Sequence, residues 1–174
     1  MIFNSERQRK RQLRAAEGYL SLGMPDHALE ALKPVSESGE PGFECLMLQG
    51  DALRTKREHH QALECFQQAH ELDPRSLEAL MGMAWCYKHI DRVDLSIDAM
   101  RLAYQSHSKV PNVLYNLARY YSLAGNKDQA LSWLGRALRM DHSYGALIAE
   151  ESDFDPLRDD PDFRHLLKLS AEVK

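Results

Sequence analysis

The chain has no apolar run approaching roughly 18 residues, the length that reads as a membrane span. Its first five residues, Met1, Ile2, Phe3, Asn4 and Ser5, lead at once into charge, which leaves no apolar core for a signal peptide. Cysteine is scarce. Cys45, Cys65 and Cys86 stand apart, odd in number and without a CxxC pair, which fits a reducing compartment and predicts a cytoplasmic location. Alternating β-branched residues appear nowhere, so no strand is expected. No HExxH, GxSxG or glycine-rich phosphate loop is present, and no Ser, His and Asp are placed on loops around a pocket. The acidic group Asp153, Asp155, Asp159, Asp160 and Asp162 lacks the Asp-x-Asp-x-Asp-Gly loop and distal Glu of a calcium site, and is expected to serve helix capping and solvation. These absences predict a chain that is no enzyme and takes no metal and no cofactor. The net charge of −4 argues against general affinity for nucleic acid.

What the chain does have is a period. Ala16, Gly50, Ala84 and Ala118 form a series of small residues at an interval of 34. Tyr19, Leu53, Tyr87 and Tyr121 form a second series; Leu32, Phe66, Met100 and Leu134 a third; Val35, Ala69, Ala103 and Ala137 a fourth. A period of this length means one helix–turn–helix unit repeated, because each unit buries its apolar face against its neighbours. With 174 residues, 44% of them hydrophobic and 28% charged, the chain suits a single soluble domain over 1–174.

Helical spacing and breakers place paired helices at about 5–22 and 25–37, 43–56 and 59–71, 77–90 and 93–106, and 111–124 and 127–140. The breakers are Gly23-Met24-Pro25, Gly39-Glu40-Pro41-Gly42, Asp73-Pro74, Pro111 and Gly125-Asn126, with Gly at helix ends and Pro in first turns. The second unit reads Leu46, Gly50, Leu53, Ala62, Phe66, Ala69 and Leu72-Asp73-Pro74; the fourth reads Leu114, Leu117, Ala118, Tyr121, Gly125, Ala130, Leu134 and Ala137. In this the chain resembles the tetratricopeptide repeat family. The third unit fits with Leu80, Met83, Ala84, Tyr87, Met100 and Ala103, although Ser96 replaces the usual Ala and no Pro closes the unit. The resemblance implies an all-α, right-handed superhelical solenoid. Its four repeats lie at about 9–42, 43–76, 77–110 and 111–144, with C-terminal capping helices over 145–174.

The first unit departs from the others. Gln12 stands where they have Leu46, Leu80 and Leu114, as expected of a terminal repeat with a wet outer face. Past Tyr144 the register fails. Ala146, Leu147 and Ile148 begin another helix that Ser152-Asp153-Phe154-Asp155-Pro156 stops early. Asp160 then caps a helix with Pro161 in its first position, and Phe163, Leu166, Leu167, Ser170 and Ala171 form its inner face. The stretch from Phe154 to Phe163 resembles a tail seen after the last repeat in bacterial members of the family, and its expected job is to cover the flank of the fourth repeat.

His59, His60, Cys65 and His70 gather on one helix, but Cys65 lies five residues from both His60 and His70. That spacing shares no helical face as an i, i+4 ligand pair does, so the histidines read as solvated surface residues. Cys86 reads as a small core residue. Arg7, Lys10, Arg11 and Arg14 recur at i, i+3, i+4 and i+7, a basic stripe that is either the wet face of a terminal helix or a patch for an acidic partner or RNA phosphates.

In the family the first helix of each unit lines a concave groove. Carried over, this implies a peptide site built of Met47, Asp51, Arg54, Met81, Trp85, Lys88, His89, Tyr115, Asn116 and Arg119, with Lys10, Leu13, Arg14, Glu17, Glu44, Glu78, Asn112 and Ser122 at its margins. Apolar anchors would supply affinity there and charges would fix register. Trp85 reads equally as an anchor for a ligand and as packing for the adjoining repeat. The carboxylate clamp of chaperone-binding members needs a Lys and Asn pair, and here those positions hold Leu13/Glu17, Met47/Asp51 and Met81/Trp85, so no clamp is expected. The function expected is a non-catalytic adaptor or scaffold that binds another protein, as a peptide or helix in the groove, with self-association as a further mode. The alternatives are a small chaperone for secreted or aggregation-prone clients, and an RNA-binding module using the Arg7 to Arg14 stripe.

Overall fold

The structure is a computed structural model that describes residues 2–37, 39 and 41–172, with side chains over 6–37, 39 and 41–170. Glu40 of the expected breaker and the side chain of Ala171 lie outside the described residues. Among the described residues the chain is all-α, with ten α-helices, one 3₁₀ turn and no strand. Two compact units divide it, Met1–Ile90 and Asp91–Lys174.

The first unit holds α1 (Ile2–Ser21), α2 (Pro25–Glu37), α3 (Phe43–Thr55), α4 (His59–Leu72) and α5 (Leu77–His89). Apart from the earlier start of α1, these bounds stay within one residue of those expected from breakers and spacing. Local chemistry sets them. Ser76 caps α5 by accepting the Ala79 amide at 3.1 Å, which satisfies one of the donors left open at a helix start.

One backbone device serves every turn inside a helix pair. Gly23, Arg57, Asp91 and Gly125, one per repeat, have φ of 70°, 63°, 59° and 71°. The left-handed residue lets the next amide reach back to the helix just ended. Met24 N donates to Tyr19 O, Glu58 N to Leu53 O and Asn126 N to Tyr121 O, each at 2.9 Å. Gly23 and Gly125 take this conformation without a Cβ penalty, whereas Arg57 and Asp91 pay it.

Small residues in the series set how closely helices approach. Phe66 of α4 presents its ring to Gly50 of α3 and Gly82 of α5; a Cβ on either glycine would stand 2.7 Å from it. Leu53, Ala62, Leu63 and Cys86 close around that ring, while Leu13, Ala16, Ala28, Leu32, Val35 and Cys45 pack α1, α2 and α3 together.

The second unit holds α6 (Val93–Ser106), α7 (Pro111–Leu123), α8 (Lys127–Met140) and α9 (Tyr144–Glu150). A 3₁₀ turn over Ser152–Leu157 and α10 (Pro161–Glu172) complete it. Met100, Leu114, Leu117, Leu134 and Ala137 form its buried centre. The tail covers the fourth helix pair: the 3₁₀ turn lies on α7, while α9 and α10 lie on α8. The tail's own Ile148, Phe154, Leu157 and Phe163 are buried, and the rings of Phe154 and Phe163 stand 5.8 Å apart. Asp160 caps α10 as expected, accepting the Asp162 and Phe163 amides at 2.9 and 3.2 Å. It also pairs with Lys127 at 2.8 Å, which ties the tail to the start of α8.

Candidate functional site

In the first unit, Met47, Asp51 and Arg54 recur at i, i+4 and i+7 along α3, as Met81, Trp85 and Lys88 do along α5. The two helices pack side by side, so both rows belong to one face. Met47 is half-buried against two hydrophobic clusters, one around Phe66 and one around Leu46, Ala69 and Ala79. Trp85 is half-buried among side chains of its own unit. One side packs on the Phe66 cluster, while His89 stacks on the indole at 3.7 Å between centroids. The Arg54 guanidinium lies 5.5 Å from the same ring, within cation–π range, and donates to Asp51 at 2.9 Å. Burial pushes the Asp51 carboxyl above its ordinary value, with Arg54 pulling the other way.

His59 completes this group. At the start of α4 it meets Trp85 edge-on at 5.2 Å and His89 at 4.9 Å. It is therefore half-buried in an aromatic cluster, not a solvated surface residue as its sequence spacing implies, and its Nδ1 is buried without a hydrogen-bond partner. Burial lowers its tendency to protonate, helped by the charges of His89, Arg57 and His60. His70 is also half-buried, and only His60 of the three is exposed. Spacing along one helix could not reveal His59, because its partners come from α5.

In the second unit the tail lies on the expected groove positions. Tyr115 is 5% exposed, with Tyr144 at 4.6 Å and Phe154 at 5.8 Å between ring centroids. Burial pushes its hydroxyl up to about 12. Arg119 donates from Nε and Nη2 to one oxygen of Asp153, at 3.0 and 2.7 Å, and reaches Glu151 at 2.9 Å. Asn116 accepts from Arg119 at 3.0 Å and donates to Asn112 O and Oδ1, both at 2.9 Å. Tyr115 and Arg119 are thus engaged by the chain's own tail, while Asn116 is bonded within α7 to Arg119 and Asn112. Asp153 differs from the sequence expectation, being a buried ion-pair partner where capping and solvation were expected.

The remaining candidates are quickly placed. Arg7, Lys10, Arg11 and Arg14 are all exposed on α1, with Lys10 3.7 Å from Glu6. Cys45, Cys65 and Cys86 are free thiols. Burial pushes Cys65 up to about 11 and Cys86 up to about 12, away from the thiolate that nucleophilic chemistry needs. Among the described residues no three His, Cys, Asp or Glu side chains gather to hold a metal ion, and no helix is long and apolar enough to cross a membrane.

Comparison with known proteins follows the same lines. Two family models, each for the tetratricopeptide repeat, match residues 47–111 and 111–144. Protein bimA of Emericella nidulans is 29% identical over 99 residues, which are 57% of this chain and 12% of that protein's length. Among solved structures, MamA from Desulfovibrio magneticus RS-1 (residue 41 to the end) has a TM-score of 0.73 at 17% identity. It covers 96% of this chain and 97% of its own. YrrB, a TPR protein with an unusual peptide-binding site, has a TM-score of 0.70 at 22% identity, covering 78% of this chain and 71% of its own. At these identities the likeness is one of fold.

Proposed function

The chain belongs to the tetratricopeptide repeat family, and on that premise we propose that it is a non-catalytic adaptor holding a peptide segment of a partner protein on the α3–α5 face. The observation that supports this is Trp85. Its indole is only half-buried, is ringed by His89, His59 and Arg54, and stands on the helix row that faces ligands in this family. Large amphipathic rings flanked by guanidinium groups are the composition of binding hot spots. Met47 and Met81 beside it supply flexible apolar side chains that re-pack around different anchors.

The fourth helix pair contributes less to this reading than the sequence implies, since Tyr115 and Arg119 are engaged by the tail and Asn116 is bonded within α7. The binding determinants then sit in the second and third repeats. Affinity capture from native lysate tests the assignment with three proteins side by side: wild type, Trp85→Ala and Arg14→Glu. The expected result is a partner retained by wild type and Arg14→Glu and lost by Trp85→Ala, with circular dichroism unchanged. Loss in Arg14→Glu and retention in Trp85→Ala would move the function to the basic stripe of α1.

A further inference from the structure

The outer face of α1 carries positive charge that no described residue balances. Helical spacing sets Arg7, Arg11 and Arg14 on one crest, opposite Leu13, Ala16 and Leu20, which pack into the core. All three arginines are exposed, and no hydrogen bond, ion pair or ring contact joins them to any described residue. Lys10 beside them is held by Glu6 at 3.7 Å, and Arg9, on the other side of the helix, lies against Gly42. The excess is local. Of the chain's 22 Lys and Arg and 26 Asp and Glu, α1 holds five of the first group and two of the second, Glu6 and Glu17. The net charge of −4 therefore sits elsewhere, where it repels polyanions and leaves this crest as the place for one.

We propose that the α1 crest binds the phosphate backbone of a nucleic-acid strand without reading its sequence. From Arg7 to Arg14 the helix rises about 10 Å, which spans about three phosphates of a stacked strand. Guanidinium forks suit phosphate oxygens, which they grip in bidentate fashion. The residues that border or continue the crest are Gln8, Ala15 and Gly18, all exposed. None offers a ring for bases to stack on, and none offers the large apolar anchor that a protein partner needs. A membrane fits less well than a strand. Its surface is flat and anionic throughout, and would draw the exposed Glu6 and Glu17 on the flank of α1 against itself. A strand can follow the crest alone. The crest shares no residue with the α3–α5 face, so the two sites stand or fall separately.

The experiment follows the fluorescence anisotropy of labelled oligouridylate and oligothymidylate with the whole protein, from about 50 to about 200 mM salt. The proteins are wild type, Trp85→Ala, the three single changes Arg7→Gln, Arg11→Gln and Arg14→Gln, and their triple combination. Circular dichroism shows that each is folded. Polyglutamate is added as a competitor, and vesicles containing phosphatidylserine are tested in parallel. Both oligonucleotides should bind wild type and Trp85→Ala alike, and about twentyfold more weakly at the higher salt, as three phosphate contacts require. Each single change should lower the slope of log affinity against log salt by about 0.7, and the triple change should abolish binding. No binding at the lower salt, a flat salt dependence, or binding that survives the triple change would overturn the site. Competition by polyglutamate at equal charge would give the crest to an acidic protein, and vesicle binding without oligonucleotide binding would give it to a membrane; either overturns the assignment.

Discussion

Arg119 on α7 and Asp153 in the tail are joined by two hydrogen bonds to a single carboxylate oxygen, and Asp153 is only 3% exposed. The pair fastens the 3₁₀ turn over Tyr115, where a following repeat would otherwise pack. Removing Arg119 takes two charge-assisted hydrogen bonds from a buried carboxylate. Arg119→Ala is therefore expected to cost about 3 kcal/mol, read from denaturant unfolding, and to speed hydrogen exchange in residues 152–170. Asp153→Ala added to Arg119→Ala should cost much less than the two single changes together. Additive losses would mean that the pair is not what holds the tail.

Gly50 and Gly82 are expected to resist even the smallest enlargement. A methyl at either position meets the Phe66 ring at 2.7 Å, and the ring is buried with no room to retreat. Gly50→Ala should destabilise by about 1–3 kcal/mol, although alanine is the better helix former. Gly18→Ala, where nothing lies within 4 Å, is the control and should be neutral or stabilising. Equal effects at the two positions would refute close packing as the reason for the small-residue series.

Arg57 offers a gain. Its φ of 63° is the conformation that Gly23 and Gly125 adopt in the equivalent turns. Arg57→Gly should raise stability by about 0.5–1 kcal/mol, because relief of the Cβ clash exceeds the added freedom of the unfolded chain. Asp91→Gly should gain less, since aspartate tolerates the left-handed region better than arginine. Denaturant midpoints of the two variants decide the matter.

Stability is expected to fall in alkali. Burial raises the thiols of Cys65 and Cys86 from an ordinary 9.0 to about 11 and about 12, and Tyr115 from 10.0 to about 12. Between those limits the unfolded chain has released protons that the folded chain still holds, so unfolding is favoured as pH rises. The contribution is full below about pH 9 and is lost through about 11 to 12. Urea midpoints measured from about pH 8 to about pH 11 should drop, and Cys86→Ala should show a shallower drop. A flat profile for the wild type would contradict this.

Much of the fold was legible in the chain because its rules are local. Period and spacing bury the small series, Ala16, Gly50, Ala84 and Ala118, and breakers such as Gly23, Pro111 and Asp160-Pro161 act on their own immediate neighbours. The early end of α9 before Ser152 and the cap at Asp160 follow from the same short-range chemistry. The candidate site was legible in part: Met47, Arg54, Met81 and Trp85 share one face because helical spacing puts them there.

What spacing could not reach was decided by packing between elements. The sequence by itself determined an all-α repeat with a terminating tail, since each helix needs only residues within a turn or two. Only the tertiary structure placed His59 against Trp85 and His89, turned Arg57 to positive φ, and gave Arg119 to Asp153. His59 and Arg119 meet partners many residues away on other helices, so their surroundings exist only once the helices have packed.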